Sequence, residues 1–108
     1  MVNNPNVKLV KLYTKEKYQR LFNKESGTCG MKSGHVILQP GESVGEHTTG
    51  EREEILVILA GKGRALIEKK DIFDIDKGIV LYIAPKTLHD IKNTGEEPLE
   101  YIFITSFA

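Results

Sequence analysis

Residues 41–61 read GESVGEHTTGEREEILVILAG, and the interpretation of this stretch decides the fold. A glycine after Pro40 opens it, His47 lies within it, and Glu46, Glu51, Glu53 and Glu54 gather around that histidine. An unbroken apolar run then leads to Gly61. Side chains on an extended backbone alternate between two faces, so His47 and Thr49 share one side. The same parity puts Leu56, Ile58 and Ala60 on the face of Glu54. A carboxylate aligned with three apolar residues stands at the mouth of a core and needs a partner there. For a histidine and a carboxylate brought together in this way, the simplest partner is a divalent metal.

Outward from this stretch, nearly every boundary carries Gly or Pro. Gly61 and Gly63 suit a tight hairpin in which both take positive φ. RALIE (64–68) is the expected return strand, followed by IFDI (72–75), IVLYI (79–83), HDIKN (89–93) and LEYIFITSF (99–107). Turns are expected at Lys69–Asp71, at Asp76–Gly78, at Pro85 and over NTGEEP (93–98). Upstream, HVILQ (35–39) reads as a strand cut by Pro40-Gly41, and SGTCGMKSG (26–34) as a glycine-rich turn region. KLVKLYT (8–14) is expected to be the first strand. KEKYQRLFNKESG (15–27) is open between a short helical turn and a strand, because Tyr18, Leu21 and Phe22 fit either. Short strands at short spacing, with turn signals between them, predict an all-β barrel or sandwich.

The chain has 108 residues and zero formal net charge, which fits one domain with a single core and gives no case for nucleic-acid binding. A lone cysteine, Cys29, excludes an internal disulfide and fits a reducing compartment. No apolar run approaches a membrane span and the N-terminal residues lack a signal-type apolar region, so the expected location is cytoplasmic, away from membranes. Residues 1–32 are basic, carrying Lys8, Lys11, Lys15, Lys17, Arg20, Lys24 and Lys32 against Glu16 and Glu25. A solvated face of lysines explains that bias more simply than a docking patch.

Two strands place the site. In HDIKN, His89 shares a face with Ile91, while Asp90 and Lys92 take the other, so His89 points inward. The run from Glu54 to Leu59 is apolar on both faces, with Ile55, Val57 and Leu59 on the second. A strand expected to be covered on both sides calls for a second sheet or a partner subunit, and the expectation is a homodimer. The C-terminal strand alternates Tyr101 and Phe103 against Ile102 and Ile104 in the same manner.

These residues resemble the cupin superfamily. Gly41, His47, Glu54 and Gly61 fall on the spacing of the first cupin motif: a Gly, five residues, His-x-His, four residues, Glu, six residues, Gly. Gly78, His89 and Asn93 fall on that of the second, with Ala84 at its Pro and Lys86 at its Gly. The resemblance implies a cupin-type jelly-roll β-barrel (RmlC-like). The whole chain, 1–108, forms the single domain, with an N-terminal strand segment over 1–33 and the barrel core over 34–108. It also implies a metal inside the barrel, held by His47, Glu54 and His89. Thr49 occupies the position of the motif's second histidine, which reduces four protein ligands to three. Two imidazoles and a carboxylate suit Fe(II), Zn, Mn or Ni and leave positions open for a small-molecule ligand. Thr49 then orients a bound water, and Glu51 is a candidate for the general base.

Simpler readings stand beside each residue. Alone, His47 fits a surface loop, His89 a satisfied core histidine, and Glu54 a strand-end carboxylate paired with Arg52 or Arg64. His35 and Gln39 become pocket groups only if their side of HVILQ faces inward, and the strand does not reveal its inward face. Cys29 reads as a small side chain, buried or half-exposed. The leading functional expectation is oxygenase- or isomerase-type chemistry on a small polar metabolite. The alternative is a non-catalytic ligand-binding or sensory barrel with a degenerate metal site.

Overall fold

The computed structural model describes residues 4–12 and 15–108. Eight strands follow in order: β1 (Tyr18–Phe22), β2 (Lys32–Leu38), β3 (Arg52–Ala60), β4 (Lys62–Ile67), β5 (Asp71–Asp76), β6 (Val80–Ile83), β7 (His89–Asn93) and β8 (Leu99–Phe107). They form a five-stranded sheet in the order β1-β2-β8-β3-β6 and a three-stranded sheet in the order β5-β4-β7. Each pairing is antiparallel. The expected all-β jelly-roll architecture is what the chain adopts.

YQRLF is strand β1, and the single helical turn comes after it, at Lys24–Ser26. Asn23 caps that turn by accepting from Ser26 N at 3.0 Å, while Ser26 Oγ accepts from Asn23 N at 2.9 Å. The two unpaired backbone donors at the start of the turn are thereby satisfied. The strand expected over 8–14 does not form where it is described: residues 8–12 lie in no sheet, and residues 13 and 14 fall outside the described residues. Leu9 is 94% exposed, so this apolar cluster reaches no core that would order it as a strand.

Alternation along the strands builds the core between the two sheets. Leu56 and Ile58 on β3, Val36 and Leu38 on β2, and Leu99 and Tyr101 on β8 meet Ala65, Ile75 and Ile91 of the small sheet. Among the described residues, the second face of β3 is only partly covered. Ile55 is 40% exposed opposite Tyr82, which is 57% exposed, and Val57 faces Val80, which is 63% exposed.

The chain crosses from the large sheet to the small one between β3 and β4 at Gly61. Its φ is 85°, and a Cβ there would stand 2.2 Å from the carbonyl oxygen of Pro98. Only glycine permits both the conformation and the approach. Gly63 does not take positive φ, contrary to expectation. It lies inside β4, where a Cβ would meet Lys92 O at 2.3 Å, so close packing rather than turn geometry requires it.

Candidate functional site

His47 and His89 are brought together by their own backbones. His47 N donates to His89 O and His89 N donates to His47 O, both at 2.9 Å. This isolated antiparallel bridge puts the two imidazoles 4.4 Å apart, centroid to centroid, with a 58° tilt. The segment before His47 runs along β7 but is not a regular strand. Ser43 bridges Lys92 and His47 bridges His89, so four steps on one side oppose three on the other. An extra residue is absorbed between them, where Gly45 takes φ 96° and donates to Asp90 Oδ1 at 3.0 Å. This is the arrangement of a β-bulge, which re-aims the side chains that follow it.

The tautomers follow from the partners. His47 Nδ1 lies 2.7 Å from Gly45 O, and His89 Nδ1 lies 2.8 Å from Thr87 O. A carbonyl oxygen only accepts, so both Nδ1 atoms carry hydrogen and both rings are left with Nε2 for other work. Glu54 comes from the opposite sheet, as its parity predicts, and its Oε1 stands 3.1 Å from His89 Nε2. Both groups are buried. A neutral His89 would present a lone pair to an anion at that distance, so the contact requires a proton or a cation between them. Burial alone opposes protonation of His89. The Glu54 hydrogen bond, the Thr87 carbonyl and the Glu54 and Asp90 charges together outweigh it, and its pKa is raised above the ordinary 6.5.

These three residues line one cavity of about 480 Å³ with Thr49 and a largely apolar interior that includes Val36, Leu56 and Ile91. His47 is exposed at its entrance, whereas His89 lies at its inner wall. Among the described residues, no group of three or more His, Cys, Asp or Glu side chains is already gathered around one ion-sized point. Thr49 Oγ1 donates to Arg52 O at 2.7 Å, which leaves the hydroxyl lone pairs to accept. Glu51 does not line the cavity: it is exposed, 3.3 Å from Lys86 Nζ. Glu53 faces outward, as its parity predicts, and accepts from Tyr82 Oη at 2.9 Å. That contact raises the Tyr82 pKa.

His35 lies on the outer side of β2, since Val36 and Leu38 take the core side. It is nonetheless 1% exposed, with Nε2 2.6 Å from Glu100 Oε2, and it is no part of the cavity. Two cations that sequence reasoning did not assign to the site, Arg52 and Lys32, do line it. Arg52 was legible in principle, being two residues before Glu54 on the same face. Lys32 is placed by register alone, opposite Thr105, which in turn is opposite Glu54.

A family model for the cupin domain matches residues 34–105. MJ1618, an uncharacterized protein of Methanocaldococcus jannaschii, is 36% identical over 67 residues, which make up 62% of this chain and 53% of the relative. The matched stretch thus spans about half of that relative's length. An RmlC-like cupin family protein with a double-stranded β-helix fold, also from Methanocaldococcus jannaschii, superposes with a TM-score of 0.80 at 19% identity. It covers 94% of this chain and 91% of its own. A predicted oxalate decarboxylase from Thermotoga maritima superposes with a TM-score of 0.70 at 23% identity, covering 93% and 100% respectively. These structural likenesses concern the fold.

Proposed function

The chain belongs to the cupin family, and we propose that it holds a divalent transition metal in its barrel and acts there on a small molecule. His47 and His89 bind the ion through Nε2, and Glu54 supplies the carboxylate. The observation that carries this reading is the pair of Nδ1 contacts to Gly45 O and Thr87 O. Backbone carbonyls that fix the outer nitrogen of an imidazole orient the inner one and raise its basicity as a ligand. The His89–Glu54 contact supports the same reading, because a cation between a lone pair and a carboxylate removes their repulsion. Two imidazoles and one carboxylate suit Fe, Zn, Mn or Ni. When bound, such an ion supplies Lewis acidity, or an oxygen site if it is iron. Thr49 offers lone pairs to a water or substrate hydroxyl, and Leu56 keeps the inner cavity dry. Isomerase- or oxygenase-type turnover of a small metabolite is the chemistry this arrangement supports.

Thr49 favours a second reading, a ligand-binding or sensory barrel without turnover, because its hydroxyl stands where the family motif has a fourth donor. The partly covered outer face of β3 and β6, with Ile55, Val80 and Tyr82, supports a homodimer. The single exposed Cys29 supports a reducing, cytoplasmic setting. None of the described helices is long and apolar enough to cross a membrane.

Elemental analysis of purified protein tests the metal. Stoichiometric transition metal that is lost in His47→Ala and in His89→Ala is the expected result. Bound metal also raises the melting temperature, by the equivalent of roughly 2.7 kcal/mol at a hundredfold excess over Kd. A chelator reverses the shift. Protein that takes up no metal from supplemented medium refutes the assignment.

A further inference from the structure

We infer that the cavity takes a small carboxylate with an apolar body, its anionic end held by Arg52 and Lys32. The inference deepens the reading of this cavity as the ligand site and rests on it. Two cations, a held Arg52 and an exposed Lys32, line the cavity against one carboxylate, Glu54, and that carboxylate is already engaged by His89 at 3.1 Å.

Arg52 is held entirely by neutral groups. Its Nη1 donates to Gly30 O at 2.8 Å and to Thr105 Oγ1 at 3.4 Å, and its guanidinium lies 4.0 Å from the centroid of the Phe107 ring. These contacts fix the guanidinium without neutralising it, and no described residue accepts from Nη2 or Nε. Among the described residues, no carboxylate lies within ion-pair distance of Arg52 or Lys32, whereas Arg20, Arg64, Lys69 and Lys86 each have one. Lys32, Thr105 and Glu54 form one row across β2, β8 and β3, which sets Lys32 about 10 Å from Glu54 at ordinary strand spacing.

A half-buried, pre-oriented guanidinium with free donors matches the planar geometry of a carboxylate, and a cleft with an excess of positive charge attracts anions. The row next inward from Thr105 and Glu54 carries Phe103 and Leu56, with Val36 beyond it. That row is the place for the ligand's apolar part.

The test is an NMR titration at low salt, on protein stripped by chelator and dialysed, and again after reloading with zinc. The probes are butyrate, its neutral isostere butyramide, and inorganic phosphate. Butyrate is expected to bind at least about tenfold more tightly than butyramide, since a charge-assisted hydrogen bond contributes that much. Arg52→Gln and Lys32→Gln each abolish this preference, while Arg52→Lys restores part of it. Unfolding midpoints confirm that the variants are folded, and Lys32, exposed and unpaired, is the substitution least able to disturb the fold. Equal binding of butyrate and butyramide, phosphate as tight as butyrate, absence of saturable butyrate binding, or folded variants that keep the preference would each overturn the inference. Protein that never takes up metal yet shows Arg52-dependent butyrate binding keeps this inference and refutes the metal assignment.

Discussion

Asn93 closes the second sequence motif, and its replacement by alanine should lower stability by about 3 kcal/mol. The side chain is 0% exposed. Its Nδ2 donates to Leu38 O at 2.9 Å and to Glu97 O at 2.8 Å, and its Oδ1 accepts from Gly95 N at 2.8 Å. One amide thus ties the end of β7 to the end of β2 in the other sheet and to the turn that leads into β8. Each hydrogen bond contributes about 1 kcal/mol net, and Asn93→Ala removes all three while leaving Leu38 O without this donor in the interior. Urea unfolding followed by far-UV circular dichroism measures the loss. With a slope of about 2 kcal/mol/M, the midpoint falls by about 1.5 M with the slope unchanged. Asn93→Asp separates hydrogen bonding from volume. It keeps an acceptor for Gly95 N but turns carboxylate oxygens toward two carbonyls, so at neutral pH it should be at least as damaging as alanine and should recover in acid. A loss below about 0.5 kcal/mol for Asn93→Ala would falsify the claim that this amide joins the sheets.

Other substitutions and titrations test the remaining claims. Lys86 stands where the family motif has glycine and takes φ 58°, so Lys86→Gly should raise stability by about 1 kcal/mol; an unchanged unfolding midpoint would show that the left-handed backbone costs nothing here. In metal-free protein the His89 pKa, read from imidazole NMR shifts, lies above 6.5, and Glu54→Gln should lower it. Because the folded value is the raised one, the stability this pair contributes is full below pH 6.5 and is lost as pH climbs through the folded value. Stability rising over that window would contradict the assignment. Tyr101 is held protonated by burial, then by the Glu54 and Asp90 charges, so it should ionise far above pH 10 and drain stability as pH exceeds 10. Absorbance at 295 nm through an alkaline titration, repeated on Tyr101→Phe, detects the delayed step.

Much of the fold was legible because strands report their two-residue period directly. Glu54 with Leu56 and Ile58, and His89 with Ile91, are residues whose polar and apolar neighbours alternate, and both face where alternation puts them. HVILQ carries no charge on either face, so its orientation was not legible. Its histidine proved to be buried on the outer side through Glu100, a partner 65 residues away. The approach to His47 defeated the strand rule because Gly45 adds a residue, and a bulge is invisible until its partner strand is known. Gly63 was misassigned for a related reason: what forbids a side chain there is a carbonyl of β7, which a local reading cannot see. The segment over 8–12 has strand-like composition but finds no sheet edge. The simpler reading of Glu54 offered Arg52 or Arg64 as its partner, and only the contacts to Gly30, Thr105 and Phe107 show that Arg52 pairs with no acid among the described residues.

Glu54 rides on one sheet and His89 on the other, and they meet at the open end of the sandwich, whereas the Gly61 crossover pins the opposite end. The backbone also crosses between the sheets beside the site, over residues 84–88 from β6 to β7, so the Glu54–His89 contact adds a side-chain tie to an end that the chain already joins. Whatever engages Glu54 and His89 together stabilises the state in which the two sheets face each other across the cavity. Amide protons of β3 and β7 should exchange more slowly once the cavity is filled, so the occupant need not be known for its arrival to be heard.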